Sequence, residues 1–565
     1  METPKVPDTP DPDREGDEFE RAEIDSDAAL RAAEAFDPGE EPEGEPAPGR
    51  QAGRIARSTA FFSVATAASR IAGLAREVVA ASYYGISDSM SAFTVAFQVP
   101  NLIRALFADA ALQPAFVPVF TELLGEKRYR EAFRLASTML LLVTMVLGAI
   151  TAIFVLAAPL IMPLFAPGFK GAIVDLTVSL SQVLFPILVM LGVSGIVVGI
   201  LNSYDRFGAF AISPLFWNLA IIAVLVAIEP LFSGEDRIYA YAIAILVGTF
   251  VQLMIPTFDL RNTPFRFKLA FDWRHPGVRR VLLLMLPVTI SLGLINFNLL
   301  INSFFGTLVD NNAPAAIDKA FRIYQLPQGI FSVAVATVLF PTLARFASHG
   351  EIDNLRSTMA NGMRQILFIL IPAAAAVLVL SEPIIRLVYE YGEFDPADTE
   401  VVSTALFWFA FSLPTNGLFL LLTRTFFGLQ RPWIPTVIAA GNLAVTALAA
   451  LALYHLGVGG IVAATAIATG VSVVAQCAVL GRLLGGLELP RLFGAGLRIG
   501  IAAAVLAVAS YFAWDAVDGA LGRGLVGQIV SLSLGLGLGA AAYLAVAKAL
   551  RIAELDQIIR LVRRR

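Results

Sequence analysis

The chain is poor in the side chains that usually carry enzyme chemistry. Its 565 residues include a single cysteine, Cys477, which excludes an internal disulfide and a cysteine-held metal. The only histidines, His275, His349 and His455, are too scattered to suggest a metal or hydrolytic centre. No Gly-rich loop runs into a lysine, so no phosphate-cradling motif is present. Nothing in the sequence points to nucleic acid. Charged residues are scarce too, at 15% against 57% hydrophobic, with a mean hydropathy of +0.73. A soluble protein of this size carries far more charge.

Long apolar stretches take up the space. About 20 apolar residues cross a bilayer as a helix. Fourteen segments meet that rule, near 58–83, 90–121, 134–164, 172–202, 209–231, 238–259, 280–308, 315–345, 359–381, 398–428, 433–455, 459–486, 497–514 and 524–549. Several are long enough to require tilting or kinking, and prolines 100, 114, 118, 287, 327 and 341 supply kinks. The expected fold is an all-α polytopic membrane protein.

The net charge of −4 hides a split. Residues 1–50 hold 17 acidic and 5 basic side chains, whereas the rest hold 28 acidic and 36 basic. The first segment lacks the apolar core of a signal peptide and reads as a disordered acidic tail. Beyond it, cations gather in alternate loops. Lys127, Arg128, Arg130 and Arg134 fall in one, and Arg261, Arg266, Lys268, Arg274, Arg279 and Arg280 in another. The intervening loops are cation-poor, and EYGEFDPADTE is acidic. The positive-inside rule then places both termini in the cytoplasm.

Spacing also suggests a repeat. Pro100 and Pro114 are 14 residues apart, as are Pro327 and Pro341, and a shift of 227 residues superposes the pairs. The same shift brings helices 1–6 close to helices 7–12, giving two six-helix lobes around a central cavity plus two C-terminal helices. The expected boundaries are 1–53 for the tail, 54–275 for the N-lobe, 276–490 for the C-lobe and 491–565 for the last two helices with a basic C-terminal tail. Internal repeats of this kind are typical of transporters, with the site at the interface between them.

The candidate site is marked by charge where charge is expensive. A cation at mid-membrane costs roughly 2.5–3.5 kcal/mol on insertion scales, so it normally faces a bundle interior or a wet cavity. Helix 1 reads SRIAGLARE, with Ser69, Arg70, Arg76 and Glu77; helix 2 reads VPNLIRALFADAA, with Asn101, Arg104 and Asp109; helix 8 reads AIDKAFRIYQLPQG, with Asp318, Lys319, Arg322 and Gln325. Two readings stand open. The arginines could pair with Glu77, Asp109 or Asp318 and hold helices together, or they could form a basic cavity for an anionic cargo. On helices 7 and 11, Asn296, Asn298, Asn302, Asn442 and Thr446 offer oxygen ligands for Na⁺, although interhelical hydrogen bonding is the commoner use of such residues.

SRIAGLARE, SAFTVAFQVPNLIRALFADAALQPAFVPVF and AFRIYQLPQGIFSVAVATVLFPTLARFA together resemble the MurJ/MviN family of lipid II flippases, and the resemblance runs from about Ser58 to the C-terminus. It implies membership of the multidrug/oligosaccharidyl-lipid/polysaccharide exporter superfamily, and a transporter rather than an enzyme. The implied cargo is undecaprenyl-diphosphate-linked disaccharide-pentapeptide, moved to the outer leaflet of a bacterial cytoplasmic membrane by alternating access. Arg70, Arg76, Arg104 and Arg322 fall on the family's cavity arginines. Ser69, Glu77, Asn101, Asp109 and Gln325 are expected to support them, and helices 13 and 14 to form a groove for the polyprenyl tail. No cofactor is expected; Na⁺ or the membrane potential would supply energy. Expected partners are lipid II, membrane lipids and proteins of cell-wall synthesis or division. The sequence departs from the family at Ser91 and Gln325, where acids are usual, and in helices 7 and 11, where the acids some members use for sodium have no match. An exporter of another polyprenyl-linked glycan or of a drug, a membrane glycosyl- or phosphotransferase, and a non-transporting cell-wall scaffold are the rival classes.

Overall fold

The computed structural model describes residues 48–107, 112–268 and 271–556. The acidic stretch 1–47, Asp109 and Arg563–Arg565 lie outside the described residues, as do the side chains of Arg104 and Asn296.

Regular structure among the described residues is helical throughout. The first half comprises α1 (Pro48–Tyr84), α2 (Asp88–Phe107), α3 (Leu112–Gly125), α4 (Tyr129–Phe165), α5 (Ala172–Leu184), α6 (Ile187–Ser203), α7 (Gly208–Ile228) and α8 (Arg237–Asp259). The second comprises α9 (Pro276–Val309), α10 (Ala313–Pro327), α11 (Val333–Ser348), α12 (Ile352–Tyr389), α13 (Pro396–Ala410), α14 (Ser412–Gly428), α15 (Trp433–Leu453) and α16 (Val458–Leu483). A hairpin of α17 (Leu489–Leu521) and α18 (Leu525–Ala549) follows.

Among the described residues the expected apolar segments are largely helical, but not each is one helix. The 172–202 segment breaks between α5 and α6, where Pro186 removes a backbone donor. The 398–428 segment bends by 45° between α13 and α14, three residues before Pro414. The 315–345 segment is interrupted after Pro327 by a π-turn, Gln328–Ser332. Inside α12, Leu380 leaves helical geometry three residues before Pro383. Among the described residues nine helices are long and apolar enough to cross a membrane, or ten if the bent pair is one span.

The packing shows how the halves meet. One hydrophobic core runs through the first half and continues into the second through Phe305, Ala315, Tyr389, Phe394, Val402 and Phe409. These residues lie near the connections 310–312 and 390–395. The opposite ends of the second-half helices form a separate core around Leu343, Met363, Leu422, Phe426 and Leu480. The halves are thus fused at one face of the bundle, hereafter the closed face; at the other end the start of α9 also joins the first half, through Val278, Val281 and the Arg280–Glu122 ion pair at 2.8 Å. Hydrogen bonds between them gather at the closed face. Ala315 N–H donates to Ser91 Oγ at 3.2 Å, Asn311 Nδ2 to Asp88 Oδ2 at 3.0 Å, Glu393 N–H to the Ser82 carbonyl at 2.9 Å, and Ile86 N–H to Asp398 Oδ2 at 3.2 Å.

The C-terminal hairpin is pinned to α12 by a core that includes Phe368, Ala502, Leu506 and Tyr543. Arg386 pairs with Asp518, Arg364 Nε pairs with Glu554 at 3.0 Å, and Tyr543 Oη donates to the Phe368 carbonyl at 2.7 Å. Arg364 and Arg386 are 22 residues apart on α12, about 33 Å of helix, close to the thickness of a bilayer's hydrocarbon.

Candidate functional site

The charges that stand out in α1 and α10 meet. Arg70, Gly73, Leu74, Arg76 and Glu77 from α1, Trp217 and Asn218 from α7, Arg322, Gln325 and Leu326 from α10, and Gln328 and Gly329 from the π-turn line a cavity of about 480 Å³. It lies between the halves, on the inner side of the closed-face contacts.

Each wall is set by local chemistry. On α1 the spacing of six between Arg70 and Arg76 gives about 120° of rotation on an ideal helix, and the cavity is broad enough to take both. Arg76 is 7% exposed and lies with its guanidinium 4.6 Å from the Trp217 ring centroid, a cation–π contact strengthened by exclusion of water. Trp217 is held by its indole N–H, which donates to Thr249 Oγ1 at 3.2 Å. Asn218 Nδ2 donates to the carbonyls of Ser69 at 3.3 Å and Pro214 at 2.9 Å, tying α7 to α1. On the opposite wall Gln328 Nε2 donates to Asn416 Oδ1 at 2.9 Å, and Asn416 Nδ2 to Tyr324 Oη at 3.0 Å. The π-turn after Pro327 thereby turns Gln328 and Gly329 towards α1, where a side chain on Gly329 would sit 3.4 Å from Arg70 Nη1.

Arg76 and Arg322 both pair with carboxylates and line the cavity. Arg76 Nη2 reaches Glu77 Oε1 at 2.5 Å, and Arg322 pairs with Asp318 at 3.2 Å while its Nε stands 3.8 Å from Glu77 Oε1. The same arginines nonetheless line the cavity. Lys319, behind the wall and fully buried, gives Glu77 Oε2 a further partner at 3.0 Å. The cluster of Arg70, Arg76, Lys319 and Arg322 against Glu77 and Asp318 leaves a formal charge of +2. Two buried polar atoms at the wall, Arg76 Nε and Asn218 Oδ1, have no hydrogen-bond partner, and such atoms call for a ligand or water.

Of the other expected site residues, Ser69 contributes its carbonyl to Asn218. Asn101 lies on α2 and is not among the residues lining the cavity. Arg104 is on α2 with its side chain outside the described residues, and Asp109 lies outside them entirely. Trp217, Asn218 and Gln328 were not singled out by the sequence. Their only signal is polarity or bulk in apolar helices, which many residues share.

The polar residues of helices 7 and 11 bind one another. Asn298 Nδ2 donates to Asn442 Oδ1 at 3.1 Å, Asn442 Nδ2 to Ser472 Oγ at 2.9 Å, Thr465 Oγ1 to Asn302 Oδ1 at 3.0 Å, and Thr446 Oγ1 to the Asn442 carbonyl at 2.9 Å. These bonds, with no carboxylate among them, form an interhelical network, in which Asn298 Oδ1 stays buried without a hydrogen-bond partner. Among the described residues no group of three or more His, Cys, Asp or Glu has metal-holding geometry.

A second cavity of about 500 Å³ opens at the closed face, where Tyr84, Asp88, Lys170, Arg237, Glu393 and Asp398 converge.

A family model described as lipid II flippase MurJ matches residues 80–534. A probable lipid II flippase MurJ from Rhizobium meliloti is 36% identical over 527 residues, covering 90% of this chain and 96% of its own. Among solved structures, a lipid II flippase MurJ in an inward closed conformation superposes with a TM-score of 0.73 at 22% identity, covering 86% of this chain and 99% of that one. An inward-facing multidrug MATE transporter of the MOP superfamily gives a TM-score of 0.60 at 17% identity, covering 76% and 95%. At these identities the superpositions establish the shared fold alone.

Proposed function

From the premise that the chain belongs to the MurJ lipid II flippase family, we propose how its basic cavity moves the cargo. The protein is a multi-pass membrane transporter, not an enzyme, and its function is to flip lipid II, the peptidoglycan precursor. The rival exporter reading is not favoured, since the likeness to multidrug transporters is one of fold.

Arg70, Arg76, Arg104 and Arg322 bind the diphosphate of lipid II. The observation that carries this reading is the excess of cations around a cavity between the halves, with a formal charge of +2 and an unpartnered Arg76 Nε. A diphosphate diester brings two negative charges. Arginine forks meet phosphate oxygens in charge-assisted, bidentate pairs, and the buried site strengthens each contact. The closed face is the outer one, as the cation-poor connections there suggest, and both termini are cytoplasmic. The cavity then accepts cargo from the cytoplasmic leaflet. Neutralising the arginines removes their mutual repulsion and favours closure of the inner side, with opening of the outer one. The polyprenyl chain stays in the bilayer beside α17 and α18 while the head group crosses. The membrane potential helps return the cationic cavity inward.

The test is to deplete the host's own flippase, express this chain and probe lipid II at the outer leaflet. Accessible lipid II with the wild-type chain, and its loss when Arg70, Arg76 and Arg322 are changed together to alanine, is the expected result. Full accessibility with the triple variant would sink the cavity as the binding site.

A further inference from the structure

Glu77 faces three cations at once. Its Oε1 takes Arg76 Nη2 at 2.5 Å and faces Arg322 Nε at 3.8 Å; its Oε2 takes Lys319 Nζ at 3.0 Å. The two oxygens therefore look to different places, one to the cavity arginines and one to a lysine that no cargo touches. Lys319 does not line the cavity. It is fully buried on α10, its Nζ lies 5.7 Å from the Tyr389 ring centroid, and its carbonyl accepts from Tyr389 Oη at 3.4 Å.

A buried lysine is costly and, away from the cargo, gives the cavity no direct contact. Its use emerges when a diphosphate arrives. Arg76 and Arg322 both lean on Glu77 Oε1, and the charge they share with it is drawn away from an arriving phosphate. After the exchange Arg322 keeps Asp318, and Arg76 keeps the face of Trp217. Glu77 alone would be stranded as an unpaired carboxylate inside the protein, which is strongly unfavourable. Lys319 prevents that.

We propose that Lys319 is a positioning residue for cargo binding: it holds Glu77 through Oε2, so that Oε1 can release Arg76 and Arg322 to a diphosphate. This rests on the reading that the cavity binds a diphosphate. Without the lysine, Glu77 depends on the two arginines and competes with cargo for them.

The test uses the full-length chain in detergent with farnesyl diphosphate as the probe, and affinity is measured on the monodisperse, folded fraction. Lys319→Met, which keeps the length of the side chain and removes its charge, is expected to weaken binding about tenfold or more. Lys319→Arg restores a cation and is expected to return affinity to within about threefold of wild type. Lys319→Met combined with Glu77→Gln removes both the lysine and the competitor, and is expected to recover most of the lost affinity. The double variant also answers the question if Lys319→Met alone fails to fold. Wild-type affinity in folded Lys319→Met, or no recovery in the double variant, overturns the proposal. Equal binding by wild type and Arg76→Ala would instead overturn the diphosphate reading itself.

Discussion

Arg70 is the cavity cation with no carboxylate partner among the described residues, whereas Arg76 pairs with Glu77 and Arg322 with both Asp318 and Glu77. Arg76 has a second tie, since its flat guanidinium lies over Trp217. A lysine at that position cannot stack or fork in the same way. Arg76→Lys is therefore expected to lower prenyl-diphosphate affinity about tenfold while keeping the formal charge, as read by titration of the purified chain. Unchanged affinity would mean that charge alone binds the cargo. At this scale the sequence is most informative where a side chain violates its surroundings. Arg70, Arg76, Glu77 and Arg322 stand out as ions in apolar helices, and they line one cavity. Trp217 and Asn218 violate nothing and are invisible until α7 is laid against α1. Lys319 is conspicuous but reads as a neighbour of Arg322, because its true partner Glu77 is 242 residues away.

The elements of the closed face interlock through glycines. Gly392 has a φ of +66°, and a side chain there would come within 2.2 Å of the Ser82 carbonyl. At Gly85, with a φ of +54°, a side chain would come within 2.6 Å of Asp398 Oδ2 and 2.8 Å of the Glu393 carbonyl. A left-handed non-glycine residue costs roughly 1–2 kcal/mol before any clash. Gly392→Ala is expected to loosen this face and expose Ala315, which is fully buried in the structure. An Ala315→Cys reporter should then label faster with an impermeant maleimide than it does in the otherwise unaltered chain, and equal labelling would contradict the latch. The hairpin α17–α18 depends on ions rather than glycines. Arg386 is 3% exposed and faces Asp518, and breaking a buried pair from one side costs about 3–5 kcal/mol. Asp518→Asn should lower the melting temperature of the detergent-solubilised chain, and Asp518→Asn with Arg386→Met should restore part of it. The helices themselves are legible from runs of apolar residues. Their breaks are less so, since Pro186 and Pro383 interrupt helices while Pro100 sits within α2. A proline's effect depends on what neighbouring helices can satisfy, which no local pattern contains.

For the molecule as a whole, the 227-residue spacing sets helices 2 and 8 opposite one another, and α2 meets α10 through Ser91 and Ala315. The sequence does not reveal which end of the bundle is shut. That follows from the cores, shared near residues 305–315 and 389–409 and separate around Leu343 and Phe426. A cavity of formal charge +2 that crosses the full field gains about 2.3 kcal/mol per charge for each 100 mV. In liposomes an inside-negative potential should therefore speed turnover, and collapsing it should slow turnover without changing affinity for cargo. The most direct test of the cavity as carrier is the flipping of labelled lipid II by the purified full-length chain in such liposomes. The wild-type chain should flip it, and the variant with Arg70, Arg76 and Arg322 all changed to alanine should remain folded and inserted but fall to the protein-free rate. Flipping by that variant at the wild-type rate would contradict the account.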